Sequence, residues 1–460
     1  NIYNFSNLAA ADNGILISSG NTDWTITGNS FYQTATRTTT TAATDAAISI
    51  TSTSGGNFVI TNNYIGGGAA NAGGTAWTIA GSVANRFRGI SLSAGAVTSS
   101  IQGNTIANFN FTSNSSATTA GGGWVGIYLT GGNANIGTTT GNTIGSGSGT
   151  GSISITMVTN SGGISTGIYC DATSTVSSIS NNTIGSMSQT STAIAGGITG
   201  IVASNGTSLT ISGNTIGSTS TANSISAAAY TGTTAQILTG INNSSTATIS
   251  ITNNTIANLA NNYTPTTANT SSILRGIVSS AGLNTITGNT IRNLSTPAQA
   301  TGTTSAAGVI GISFTSTVAG TTLSQNVIHT LTNTHASAAT LVTGLYYSGA
   351  TTGTNTIAKN FIHSLSISST SATATMTGMY VAAGVANYQN NMIRLGVDAS
   401  GSSLTNAIVI VGIDKQASAN NNFYHNSIYI GGSSVSSAAV NTLAFRRVST
   451  GTDNVLNNIF

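Results

Sequence analysis

An Asn-x-apolar triplet returns thirteen times along this chain, and no other feature limits its possible folds so strongly. The Asn stands at Asn29, Asn63, Asn104, Asn142, Asn182, Asn214, Asn254, Asn289, Asn326, Asn360, Asn391, Asn426 and Asn457, at spacings of 31 to 41 residues. A repeat of this length is the mark of a solenoid, in which each unit buries its apolar face only against its neighbours. A second motif, Gly followed by an apolar residue, precedes each Asn by 13 to 16 residues, at Gly14, Gly89, Gly126, Gly167, Gly200, Gly240, Gly276, Gly311, Gly344, Gly378 and Gly412. Ala47 and Ala444 fill the two gaps. Two motifs at nearly fixed separation, joined by a more variable stretch, describe one coil with two tight corners and one long connection. The variable connection is expected to face solvent.

Alternation assigns the strands. In GIYL and GIYC the Ile and the fourth residue point one way and the Tyr points the other. A second strand carries Ile26, Ile60, Ile101, Ile179, Ile211, Ile251, Ile286 and Ile357 three residues before the Asn, and a third carries Ile or Phe two residues after it. The expected fold is therefore all-β: one continuous parallel β-helix over residues 1–460, without a cap domain, in about 13 coils of about 36 residues with three short strands each. At a strand spacing of about 4.8 Å these coils would make a rod of about 60 Å. The Asn column, including Asn104, Asn142, Asn182, Asn214, Asn254, Asn289, Asn326, Asn360, Asn391 and Asn426, reads as a structural turn ladder. Asn tolerates the left-handed backbone of a tight bend, and stacked amides bond along the ladder.

Gly-Ile-x-x followed by Ile-x-x-Asn-x-Ile resembles the right-handed parallel β-helix repeat of bacterial secreted and surface proteins, the pectin-lyase-like solenoids, and the resemblance covers essentially the whole chain. It implies a right-handed coil, which is also the default for parallel crossovers. That family includes lyases, polygalacturonases, tailspikes and adhesins, so the repeat specifies fold more than function. The coils are longer than is usual there, which leaves two turns per repeat as an alternative.

Composition narrows the functional classes. Only 4% of residues are charged, no Glu is present, and ten Lys plus Arg against seven Asp leave a net charge of +3. So dilute a charge is not a nucleic-acid or membrane footprint. Hydrophobic residues at 39% with two Pro argue against disorder. No run of 18 apolar residues calls for membrane insertion, and the lone Cys170 allows neither an internal disulfide nor a cysteine metal cluster. Cys170 is expected in the core.

Polysaccharide cleavage would need clustered carboxylates. The acids Asp12, Asp23, Asp45, Asp171, Asp398, Asp414 and Asp453 fall at different corners of the repeat, and Asp23 and Asp45, in loops of adjacent coils, are the pair with a chance of meeting. The reading is non-enzymatic, with no catalytic residues, no cofactor and no metal.

Two outward columns remain as candidate binding sites. One residue beyond the third-strand Ile, small residues give way to Arg292, His329, His363, Arg394 and Tyr429 in five successive coils, a cationic stripe suited to an anion or to a partner's carboxylates. A metal held by His329 and His363 is a weaker alternative. Tyr128 with Tyr169, and Tyr346 with Tyr380, share one outward position in adjacent coils and could stack on sugars, although aromatic ladders also stabilise sheets. Thr105, Thr143, Thr183, Thr215, Thr255 and Thr290 form a single Thr rank, which matches an ice lattice poorly.

The opening YNFSNL and the closing NNIF both fit the third-strand pattern. Open solenoid ends that meet propagate into filaments. The expected function is a secreted, extracellular or cell-surface structural protein, a filament or sheath subunit whose partners are copies of itself. The alternative is an adhesin stalk that binds extracellular polysaccharide, and the third reading is a polysaccharide lyase or hydrolase.

Overall fold

A computed structural model shows an all-β chain, a parallel β-solenoid of about twelve turns with three sheets. The structure describes residues 1–6, 9–117, 122–158, 163–173, 176–191, 196–302, 306–433 and 442–460. The coils around Ile127 are representative. A first strand at Trp124–Gly131, a second at Ala134–Ile136 and a third at Thr143–Gly145 pair in parallel with Ile164–Cys170, Val176–Ser180 and Thr183–Gly185 one repeat later. Each repeat therefore makes one turn. Ile lies over Ile in every sheet, as Ile127 over Ile168, Ile136 over Ile179 and Ile144 over Ile184, all fully buried. Cys170 is buried in the same interior.

The chain forms two compact units. The first comprises Asn1–Tyr230 with Gly240–Ala247, the second Thr231–Thr239 with Thr248–Phe460. The first has an aromatic interior, with Trp77 5.2 Å from both Phe87 and Phe109 and Phe109 5.8 Å from Trp124. In the second, Phe314 stacks on Tyr347 at 5.5 Å and Tyr388 on Phe423 at 4.7 Å.

The variable connection is not all solvent-facing. In the first unit it opens with a further strand segment, Phe109–Ser113, Ile153–Met157 or Met187–Ser191, and in the second it lengthens the third strand to Thr290–Thr296 and Val327–Asn333. Apolar residues at alternate positions (Phe109 and Phe111, Ile153 and Ile155) are buried and widen the core. A left-handed residue such as Asn108, Ser186, Asn293 or Thr330 bends the strand where this segment joins.

The Gly column has a steric cause. A Cβ on Gly311 would lie 2.5 Å from the Gly344 carbonyl oxygen and 2.4 Å from Cγ2 of Ile328 on the third strand, and Gly126 and Gly344 face equivalent collisions. The glycine is needed for close approach rather than for a left-handed φ, and the strand continues on both sides of it.

Candidate functional site

The Asn column is a buried amide ladder, with a geometry different from the one its spacing suggested. Except at Asn142, where Gly137 is the left-handed residue of the turn, it is the residue before the column Asn that is left-handed: Gly28, Asn62, Gly103, Asn181, Gly213, Asn253, Gly288, Gln325, Lys359, Asn390 and His425. That residue makes the turn and frees the column Asn to point inward. In the second unit Asn326 is typical. Its backbone N–H and its Nδ2 both donate to Asn360 Oδ1, at 3.1 and 2.9 Å, and Nδ2 also donates to the Ile286 carbonyl at 2.9 Å. Its own Oδ1 accepts the corresponding pair from Asn289, at 3.1 and 3.0 Å. Both donors and both lone pairs of the amide are used, as burial requires. The same pattern joins Asn29 through Asn214 in the first unit and Asn254 through Asn426 in the second. Its last rung is Asn458, to which Asn426 donates at 2.8 Å, and not Asn457, which is the left-handed turn residue there.

The cationic stripe lies wholly in the second unit, in register: Arg292 opposite His329, His329 opposite His363, His363 opposite Arg394, and Arg394 opposite Tyr429. The His329 and His363 rings are 4.7 Å apart and within 5° of parallel. Each imidazole Nδ1 is hydrogen-bonded at 2.9 Å to the hydroxyl of the next residue, Thr330 or Ser364, both left-handed at φ 55°. Burial, then the Arg292 charge, lowers the His329 pKa, and burial, His329 and Arg394 push His363 down to about 4. Arg394 donates from Nη2 to Ser364 Oγ at 3.3 Å, while its buried Nε has no protein acceptor. Phe361 stacks on His363 at 4.3 Å, and Met392 and Tyr429 are 53% and 60% exposed, so apolar surface flanks the charges. A groove of about 660 Å³ is lined by Phe361, Met392, Arg394 and Tyr429 together with Ile459 and Phe460. Asp398 does not neutralise the stripe through a direct ion pair. Its carboxylate is tied to Ser400 and Ser402 of its own loop, and these bonds hold its pKa below the usual range.

Parallel rings direct their lone pairs side by side, a poor arrangement for a shared metal ion, whose bonds to nitrogen must converge at about 2.1 Å. Among the described residues no group of three or more His, Cys or Asp could hold a metal.

The tyrosines stack as their register implies, Tyr128 with Tyr169 at 5.5 Å edge to face and Tyr346 with Tyr380 at 5.6 Å in parallel. Their surroundings differ from expectation, because Tyr169 and Tyr346 are buried. Tyr128, Val125, Tyr169 and Val202 form one apolar cluster, and Ala307, Ile310 and Leu341 pack with Tyr346 and Tyr380 in another. Over Tyr128 lies the Arg88 guanidinium, 5.1 Å from the ring centroid, buried and bonded to the carbonyls of Phe87, Gly122 and Gly123. This face of the first sheet is an outer apolar layer in which Tyr169 and Tyr346 are buried and Tyr128 and Tyr380 half-buried.

The acids are dispersed among structural contacts. Asp23 accepts from Asn57, Asp171 from Ser204 and Asn205, Asp414 from Arg446, and Asp453 from Lys415 at 3.2 Å and Arg447 at 2.8 Å. Asp23 and Asp45 do not meet. Asp45 instead receives the Asp12 backbone N–H at 3.1 Å and occupies the inward column opposite Phe87, where burial pushes its pKa up to about 6. Asp12 and Asp45 hold equivalent places in adjacent coils, two residues before Gly14 and Ala47, so their spacing of 33 residues was a signal from which this contact could be found.

A further surface was legible but unread. The second sheet carries hydroxyls on both sides of its inward residue, as in Thr210–Ser212 and Thr285–Thr287, and they bond between coils, Thr61 to Thr27 at 3.0 Å and Thr287 to Ser324 at 3.1 Å. The signal was the hydroxyl-apolar-hydroxyl triplet at Thr25–Thr27, Ser178–Ser180, Thr210–Ser212, Ser250–Thr252, Thr285–Thr287 and Thr322–Ser324.

Amide ladder, apolar columns and parallel register together define the chain as a β-solenoid protein. No protein family, curated protein or solved structure matches it.

Proposed function

We propose that this chain is an extracellular structural protein, a β-solenoid that serves as the subunit of a filament or sheath built from copies of itself. The amide ladder carries this reading. In each unit the residues fixed by the repeat are spent on one continuous hydrogen-bonded spine and its apolar columns. Such a ladder is translational, so a coil of a second copy with Asn at the same place can extend it, and the contact is heterologous and open. Near absence of charge favours close packing of copies. The resemblance to bacterial secreted and surface β-helices supports the same location, and the use of carboxylates in structural contacts supports a non-enzymatic role.

The test is negative-stain electron microscopy with sedimentation velocity over a concentration series. Filaments of constant width that lengthen with concentration are expected. Monodisperse single rods at every concentration would overturn self-assembly and favour the adhesin stalk, the second reading, which the cationic stripe supports. Release of reducing ends or unsaturated sugars from polysaccharide would overturn the non-enzymatic role.

A further inference from the structure

We infer that Arg275 anchors a binding site for a phosphoryl oxyanion, free phosphate or a phosphate monoester, held by its guanidinium and the Thr239 hydroxyl. The site lies on the first sheet within the second unit and does not rest on the filament reading.

Arg275 belongs to the strand Leu274–Ser279, one place before the column Gly276. Successive coils put Ile310, Thr343, Thr377 and Val411 at that place, so the repeat itself calls for no charge there. From the described chain the guanidinium receives one hydrogen-bond acceptor, Thr239 Oγ1, to which Nη2 donates at 3.2 Å. Its Nε is buried and has no acceptor. Ion pairs among the described residues are made by Lys415, Arg446 and Arg447, so no carboxylate balances this cation. Burial lowers its pKa, yet an arginine stays protonated at any ordinary pH, and the charge must be accommodated as it stands.

Arg88 shows how this fold satisfies a guanidinium at the same place of the repeat. One residue before Gly89 in the first unit, it donates to the carbonyls of Phe87, Gly122 and Gly123 and lies over the Tyr128 ring. Among the described residues Arg275 has neither the carbonyls nor the ring. A cation withdrawn from water without a counter-charge is strongly destabilising, so the counter-charge comes from outside the chain. Arg275 is half-buried as a whole, which leaves its guanidinium within reach of solvent. Nε, the remaining guanidinium hydrogens and the Thr239 hydroxyl proton offer more donors than a halide or a two-oxygen carboxylate can use, and a tetrahedral oxyanion takes them up.

The test is calorimetric titration of the full chain with inorganic phosphate and with glycerol phosphate, together with scanning calorimetry in phosphate and in chloride at matched ionic strength. Low concentrations keep general exclusion of phosphate from the protein surface negligible. Titration should saturate at one phosphate per chain, and the unfolding midpoint should rise with the logarithm of phosphate concentration. Arg275→Thr, which gives the position a side chain that its column already uses, should abolish both effects and in chloride should unfold no lower than the parent. Thr239→Val should weaken binding about tenfold, the worth of one hydrogen bond to a charged group. Arg275→Lys keeps the charge and loses the fork; it serves if the Thr variant misfolds, and should weaken binding likewise. Tighter binding of inorganic phosphate assigns the free ion and tighter binding of glycerol phosphate assigns an ester, and either supports the site. No saturable phosphate binding, a phosphate response retained by Arg275→Thr, or a natively folded Arg275→Thr that melts well below the parent in chloride would each overturn it.

Discussion

Asn326 shows how much one side chain carries in this fold. Its Oδ1 accepts two bonds and its Nδ2 donates two, so the near-isosteric Asn326→Asp keeps the accepting oxygen but sets a second oxygen against the Ile286 carbonyl and Asn360 Oδ1. A buried carboxylate without compensating donors costs about 3–5 kcal/mol. Urea denaturation of N326D at pH 7 should show a loss of that size, with part recovered at pH 4 as the carboxyl protonates. Loss of less than about 1 kcal/mol would mean that the amide ladder is not a main source of stability. Asp45 is a native case of the same sign. Its carboxyl is pushed up to about 6 by burial, above its unfolded value near 3.8, so the fold prefers the protonated acid. The stabilisation is complete below about pH 4 and lost as pH rises through about 6, and a shift of this size corresponds to about 3 kcal/mol. Hydrogen exchange in the coils around Ile48 should become faster over that window, and Asp45→Asn should flatten the dependence.

At the scale of elements, the three strands of a coil are held together by the Gly column. Gly311 lets the first strand approach both the next coil's backbone and the third-strand Ile328, so Gly311→Ala must force the two apart. Overpacking of this kind costs about 1–3 kcal/mol. Differential scanning calorimetry of G311A should show a lower midpoint. Full tolerance of G311A would show that the sheets are less tightly coupled than their spacing implies. The outer faces divide the labour: the first sheet is covered by its aromatic and aliphatic clusters, the second presents paired hydroxyls, and the third carries the Arg and His stripe in the second unit.

Across the whole molecule charge contributes little. The salt bridges among the described residues gather in the second unit, Asp414 with Arg446 and Asp453 with Lys415 and Arg447, and Lys415 is wholly buried. Buried pairs are weakly screened, and exposed ones are worth about 0–1 kcal/mol. Raising salt from low to high ionic strength should therefore move the unfolding free energy by less than about 1 kcal/mol. A larger loss, measured by urea denaturation at both salt levels, would locate stability in surface electrostatics and contradict the ladder and core as its source.

How much was legible in the sequence follows from what repeats and what does not. The recurring Asn, Gly and Ile columns by themselves determined the all-β coil, its three strands and its parallel stacking, because a periodic interior can be filled only by residues of the same period. They also placed Arg292, His329, His363 and Arg394 in one line, since register in a parallel solenoid is the repeat itself. Which residue of each turn goes left-handed was decided in three dimensions, where the column Asn is drawn inward by its neighbours' amides and leaves the bend to the residue before it. Tertiary structure also buried Tyr169 and Tyr346 and turned part of the variable connection into core. Each of these depends on how irregular segments pack against the coil, and residues without a period leave no pattern in the sequence from which that packing can be read.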